Sequence, residues 1–76
     1  MPLRQSLELA LLHAAQNEQR IAELHHKRQA LEHEGMYDRA ATAGDEIERL
    51  QHGLEEIERY VRIVRQRISE VEGSAS

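Results

Sequence analysis

The chain has 76 residues, the length of one small domain, with no cysteine and a formal net charge of −4. Because cysteine is absent, disulfides and thiolate metal sites are excluded. The negative net charge argues against a protein that binds nucleic acid over its whole surface. No apolar run reaches the ~20 residues of a membrane span, and the first residues lack the basic and then apolar order of a secretory signal. We therefore expect a soluble, cytoplasmic protein that does not enter a membrane.

The composition is typical of long helices, because Leu, Glu, Arg, Ala and Gln dominate and the only aromatic residues are Tyr37 and Tyr60. Proline occurs only at position 2, where the first turn of a helix tolerates it. The first glycine is Gly35, and a glycine in the left-handed backbone region ends many helices. The sequence therefore predicts a turn at about 35–37.

Two helical segments of similar length flank this turn, which predicts an all-α antiparallel hairpin. We place the first helix at 3–34 and the second at 38–72, with 1–72 forming a single domain. The closing Gly-Ser-Ala-Ser segment is small and polar, so residues 73–76 are predicted to be a disordered tail. A core of this size seldom supplies more than ~3–5 kcal/mol, which favours a partner chain as a further source of stability.

Apolar residues follow one another through the second helix at alternating steps of four and three. This spacing sustains a heptad seam over about five heptads, as in a coiled coil. The seam positions are Met36, Ala40, Ala43, Ile47, Leu50, Leu54, Ile57, Val61, Val64, Ile68 and Val71.

A weaker seam with the same spacing runs through the first helix. Its positions are Leu3, Leu7, Ala10, Ala14, Asn17, Ile21, Leu24, Arg28 and Leu31. The two polar members, Asn17 and Arg28, have two interpretations. They fix the register and oligomeric state from within the seam, or they lie at its edge and stay hydrated.

Folding the chain at Gly35 pairs residues whose numbers sum to about 71 and brings small side chains of one helix opposite large ones of the other. The same sum places Arg28 opposite Ala43 and Gly44, where the missing side-chain volume allows its stem to cross the seam. The residues predicted to hold the hairpin together are Ile21, Leu24, Leu31, Ile47, Leu50, Leu54, Ile57, Val61, Val64 and Ile68.

Further apolar residues, among them Leu9 and Ala22, lie outside the seam and predict another contact surface. A homodimeric four-helix bundle covers them, because the apolar surface of each subunit then packs against the same surface of the other. The alternative is that they are singly exposed apolar residues, which are common on protein surfaces. The partner-facing candidates are Leu7, Leu11, Leu12, Ala15, Tyr60 and Ile63.

After the turn the sequence has an aromatic residue, an acid, one variable residue and a pair of alanines. These residues are Tyr37, Asp38, Ala40 and Ala41, with Asp45 and Ile47 following. The pattern resembles the UVR motif, a short helical hairpin found in the excision-repair proteins UvrB and UvrC and in some adaptors of bacterial Clp proteases. The resemblance covers about residues 16–51, with Ala43 and Gly44 where the family has leucine and arginine. It implies a hairpin that pairs with another hairpin, and it implies no catalytic residue.

Five histidines raise the question of a metal site, since Glu23 and His26 have the Glu-x-x-His spacing of di-iron helical bundles. Such ligands must face the core of a bundle. In the heptad register, however, His26, His33 and His52 fall at the outward position, and only His25 is near a seam. A second carboxylate–histidine motif is also lacking. We predict no metal site and no other cofactor, and we interpret the histidines as solvated.

The second helix carries one basic run without an acid among its members, namely Arg59, Arg62, Arg65 and Arg67. The run is a candidate contact for an anion, either phosphates or an acidic partner. The simpler interpretation is that cations in the last turns complement the helix dipole, with Glu55 and Glu58 placed to pair with Arg59 and Arg62. No aromatic platform for bases and no groove-reading motif accompanies the run.

Nothing in the sequence predicts an enzyme, because it has no glycine-rich phosphate loop and its fold class offers no concave substrate site. The preferred hypothesis is a small non-catalytic protein–protein interaction module, a dimeric and UVR-like adaptor or regulator. Its expected partners are a second copy or another protein chain, without a membrane or a small-molecule substrate. Two alternatives stay open: a nucleic-acid-associated bundle that uses the arginines at 59–67, and a secretion- or assembly-type chaperone for a client helix.

Overall fold

The computed structural model describes residues 2–74 and shows two α-helices packed against each other as an antiparallel hairpin. Helix α1 spans Leu3–His33, and helix α2 spans Tyr37–Ser74. The Cα atoms extend over 61 × 17 × 14 Å. The prediction of an all-helical hairpin is confirmed.

The helix ends differ slightly from the predicted ones. Helix α1 ends at His33 instead of 34, and α2 begins at Tyr37 instead of 38. At its other end α2 continues through Gly73 and Ser74, which corrects the predicted disordered tail at these two positions. The last two residues of the chain lie outside the described range. A terminal glycine lowers helix propensity by only ~1 kcal/mol, and extending a formed helix needs no new nucleus.

The turn is built around Gly35, which has a φ of 79° and is the only residue of the described range with a positive φ. The amide of Met36 donates to the Leu31 carbonyl at 2.8 Å, and the amide of Gly35 donates to the Glu32 carbonyl at 3.0 Å. These two bonds form a Schellman motif, which satisfies carbonyls that the helix end leaves free. A left-handed backbone conformation costs residues other than glycine roughly 1–2 kcal/mol. The position of Gly35 therefore determines where the chain reverses.

Gly35→Ala and Gly44→Ala are expected to change stability in opposite directions. A methyl group on Gly35 meets no atom within 4 Å, so its cost of about 1 kcal/mol comes from the backbone conformation. Within α2, a Cβ on Gly44 would lie 3.9 Å from Cδ of Arg28, an ordinary contact, so alanine adds about 0.8–1 kcal/mol of helix propensity. Urea denaturation of both variants measures the two shifts. Two shifts of the same sign would contradict this assignment.

The core is a thin row of apolar side chains between the helices. Leu24 is the most deeply buried of them, at 1% exposure. The other buried residues are alanines or β-branched, which lets the helices approach closely. They are Ala10, Ala40, Ala43, Ile47, Val61 and Val64. Every one of these residues occupies a predicted seam position.

The remaining residues predicted to hold the hairpin together are half-buried, because one partner helix covers only one side of each seam. They are Ile21, Leu31, Leu50, Leu54, Ile57 and Ile68. The seam ends earlier than predicted, since Met36 and Val71 are 43% and 61% exposed. Met36 precedes α2 in the turn, and Val71 lies near the free ends of the helices, where it lines an open groove with Leu3 and Arg4.

Both polar seam residues of α1 lie opposite a glycine of α2. A Cβ on Gly44 would lie 3.9 Å from Cδ and Nη1 of Arg28, and a Cβ on Gly53 would lie 3.6 Å from Nδ2 of Asn17. Both polar side chains are half-buried, which supports the interpretation that they lie within the seam. Nε of Arg28 is buried without a hydrogen bond, and Oε1 of Glu32 lies 3.7 Å from it.

Ion pairs between described residues bridge the helices at the surface. Arg20 Nη2 lies 3.5 Å from Glu46 Oε1, and Arg4 pairs with Glu72 near the free ends of the helices. All four side chains are more than two-fifths exposed, so each pair contributes only about 0.2–1 kcal/mol. The hairpin therefore depends mainly on its apolar seam.

Candidate protein-binding surfaces

Uncovered apolar side chains are concentrated in what we call the open half, the part of the hairpin away from the turn, formed by 3–18 of α1 and 53–74 of α2. Six large apolar residues there are between 40% and 61% exposed: Leu9, Leu11, Leu12, Tyr60, Ile63 and Val71. The other exposed large apolar residues, Met36 and Tyr37, lie at the turn. Such a concentration on one part of a surface is typical of an interaction site.

A groove of about 370 Å³ runs between the helices on one flank of the open half, and we name it the Tyr60 groove. Its lining residues are Ser6, Leu9, Ala10, His13, Gly53, Glu56, Ile57 and Tyr60. Ile63 lies about one turn beyond Tyr60 and extends the apolar part of this flank. Because Gly53 has no side chain, it leaves the floor of the groove open beside Asn17.

A second groove, of about 320 Å³, runs along the opposite flank of the open half, and we name it the Arg62 groove. Its lining residues are Leu11, Ala14, Glu18, Glu58, Val61, Arg62 and Arg65. Successive helical residues turn by about 100°, so Leu9 and Leu11 point to different flanks of α1. One groove therefore has a mainly apolar lining, whereas the other combines an apolar floor with charged walls.

The structure separates the predicted partner-facing residues instead of bringing them into one patch. Tyr60 lines the Tyr60 groove, while Leu11 lines the Arg62 groove, with Ala15 about one turn further along α1. Leu12 lies two residues after the seam position Ala10 and two before the seam position Ala14. It is therefore about 200° round the helix from each of them and faces away from α2. Leu7, which is also a seam position of α1, is half-buried.

The partner-facing set omitted two residues that shape the Tyr60 groove, Leu9 and Gly53. Leu9 shares its stripe on α1 with Ser6 and His13, two polar residues that hide any apolar periodicity. Gly53 carries no side chain and so leaves no signal in a periodicity. Their contribution depends on how the two helices pack.

The basic run lacks the local ion pairs that its sequence predicted. Among the described residues, the ion pairs do not include Arg59, Arg62, Arg65 or Arg67. Oε2 of Glu55 lies 3.9 Å from Nδ1 of His52, so the predicted pairing of Glu55 with an arginine is wrong. These arginines, all exposed, remain available to an anionic partner.

The four arginines do not share one face. Arg59, Arg62 and Arg65 follow at steps of three and form one row beside the Arg62 groove, which the last two line. Arg67 lies two residues after Arg65, about 200° further round the helix, and therefore points to the other flank. An anion on the Arg62 groove would meet three arginines at most.

Within residues 2–74, no three His, Asp or Glu side chains lie close enough together to hold a metal ion. His26, His33 and His52 are exposed, and His25 is half-buried. Neither helix contains, in this range, an apolar stretch of the length needed to cross a bilayer.

The residues that resemble the UVR motif lie at the start of α2. Tyr37 is its first residue and is 69% exposed, whereas Ala40 and Ala43 are buried and Ala41 is exposed. The small buried residues allow the helices to approach closely near the turn. Comparison of the chain with protein-family models, with curated proteins and with solved structures finds no match.

Proposed function

We propose that this protein is a non-catalytic interaction module that works as a homodimer, in which two hairpins form a four-helix bundle. The proposal rests on the Tyr60 groove, beside which Leu9, Tyr60 and Ile63 are left exposed. In an isologous dimer, one such patch covers the same patch of the second subunit. The role that follows is a dimeric adaptor or regulator, which we place in the cytoplasm because the chain has no cysteine.

The energetic support for a dimer comes from the size of the patch. Removing apolar surface from water contributes ~25 cal/mol per Å², so a large side chain with about half of its surface exposed gains roughly 2 kcal/mol when it is covered. Each contact occurs twice in a two-fold dimer. The gain adds to a single-hairpin core in which, among the described residues, Leu24 is the only large side chain that is fully buried.

The shape of the hairpin also suits a side-by-side dimer. A standard stable interface buries about 800 Å² per subunit, which corresponds to a whole flank of a molecule 61 Å long and 14 Å deep, so the contact has to continue from the open half along most of that flank. Aromatic anchors such as Tyr60 are enriched at the centres of such interfaces. The resemblance of about residues 16–51 to the UVR motif supports the same arrangement, since that motif implies pairing of hairpins.

Sedimentation equilibrium over a wide protein concentration tests the proposal. We expect the unmodified chain to dimerise, and Leu9→Asn to weaken the dimer about tenfold, because it places a polar amide in the interface. Leu12→Asn is the matched control, since it makes the same change in the same helix on the surface that faces away from α2. It should change the dimer constant by less than about twofold.

A chain that stays monomeric at high concentration would contradict the proposal. So would equal weakening by the two substitutions, because the Tyr60 groove would then not be the interface. Circular dichroism of each variant establishes that the helices are intact, so that a change in assembly is not mistaken for unfolding.

A further inference from the structure

We infer that the Arg62 groove binds an acidic amphipathic helix of another protein. The inference rests on the proposed function, because a dimer formed through the Tyr60 groove leaves the Arg62 groove open on both outer flanks of the bundle. Each dimer would then carry two equivalent sites. The module would connect two client helices through its own pairing.

The floor of the Arg62 groove suits the apolar stripe of a helix. Leu11 is 41% exposed, and Ala14 and Val61 continue the floor between the two helices. The small side chain of Ala14 makes room beside Leu11, so an incoming leucine can pack between α1 and α2. Helix-in-groove recognition uses apolar anchors at such a position, spaced by one helical turn.

The walls of the groove select the charge of that helix. Arg62 and Arg65 line the part of the groove nearer the free ends of the helices, and Arg59 precedes them in the same row. Among the described residues, none of these three arginines forms an ion pair. Arginine binds carboxylates through two parallel hydrogen bonds, so glutamates flanking the apolar stripe complement this row. The chain as a whole has a net charge of −4 and therefore repels acidic partners. The row of arginines is a local cationic site on this acidic molecule.

The same walls disfavour a nucleic acid. Glu18 and Glu58 line the groove toward the middle of the hairpin, where a continuous phosphate backbone would pass them. A bound helix avoids this repulsion when its carboxylates lie only beside Arg62 and Arg65, near the free ends of α1 and α2. Tyr60, the aromatic residue of the open half, lies on the other flank, so no ring is available in the Arg62 groove to stack on bases.

Fluorescence anisotropy with a labelled synthetic peptide tests the inference. The probe is a helix of about 18 residues, five turns, with leucines on one face and glutamates on both sides of that face. We expect saturable binding that weakens with salt, and about a tenfold loss of affinity in the double variant Arg62→Glu with Arg65→Glu. The matched control is Arg39→Glu with Arg49→Glu, which makes the same charge change on α2 outside the open half and should retain binding.

A peptide of the same composition with its leucines scrambled round the helix should not bind. Equal binding of the scrambled peptide, or equal loss in both double variants, would overturn the inference, because only net charge would then matter. Binding of a labelled single-stranded oligonucleotide in place of the peptide, abolished by Arg62→Glu with Arg65→Glu, would overturn it in favour of a nucleic-acid site.

The dimer and the helix site fail in different ways. If the unmodified chain is a dimer but does not bind the peptide, the helix site is contradicted and the proposed dimer is not. If the chain is monomeric and still binds the peptide through Arg62 and Arg65, the proposed dimer is contradicted and the site stands. Leu9→Asn should lower dimerisation and leave the affinity of each hairpin for the peptide unchanged.

Discussion

Leu24→Ala is expected to unfold the hairpin at room temperature. Leu24 is 1% exposed and is the largest fully buried side chain of the described residues, and the other buried core residues are alanines, valines and one isoleucine. Truncating a buried leucine costs about 2.7–5 kcal/mol, because transfer free energy is lost and a cavity remains. A domain of this size has about that much stability in total, so one substitution is enough.

Thermal melts followed by far-UV circular dichroism measure the effect, with protein concentration held constant because association adds to apparent stability. Leu12→Ala is the matched control, since it makes the same truncation in the same helix at a side chain that is 52% exposed. Its free energy of unfolding should change by less than about 0.5 kcal/mol. Similar melts for the two variants would mean that Leu24 does not lie in the core.

Arg28→Met is expected to stabilise the hairpin by about 1–3 kcal/mol. Nε of Arg28 is buried without a hydrogen bond, and the stem crosses the seam above Gly44, although the side chain as a whole is 37% exposed and pairs with Glu32. An unsatisfied buried donor costs about 1–3 kcal/mol, and apolar replacements of buried charged groups are often stabilising. Methionine keeps an unbranched stem of similar length, so it fills the space over Gly44 without strain.

Urea denaturation of Arg28→Met and of the control Arg20→Met separates burial from the loss of charge. Arg20 is on the same helix, but its side chain is 51% exposed and makes surface ion pairs with Glu23 and Glu46. Its substitution should change stability by less than about 1 kcal/mol. A destabilised Arg28→Met would show that the guanidinium contributes more than it costs. A stabilised variant with a changed oligomeric state would identify Arg28 as a residue that specifies assembly.

Much of the fold follows from local patterns. The four-and-three spacing of α2 predicts its buried face correctly at Ala40, Ala43, Ile47, Val61 and Val64, because helical residues seven apart project in nearly the same direction. Gly35 marks the turn, because a left-handed residue is needed where the chain reverses. These signals arise within a few residues of the chain, and therefore they can be read without knowing what each helix packs against.

The uncovered surfaces could not be predicted in the same way. The spacing predicts that Leu11 and Tyr60 lie outside the seam, but the packing of α1 on α2 assigns them to two grooves on opposite flanks. Packing also pairs Asn17 with Gly53, and it leaves Val71 mostly exposed near the free ends of the helices. Each outcome depends on the relative position of two helices that meet only after the chain has folded. A periodicity within one helix therefore predicts which residues are buried, whereas the geometry between helices determines which uncovered residues form a site.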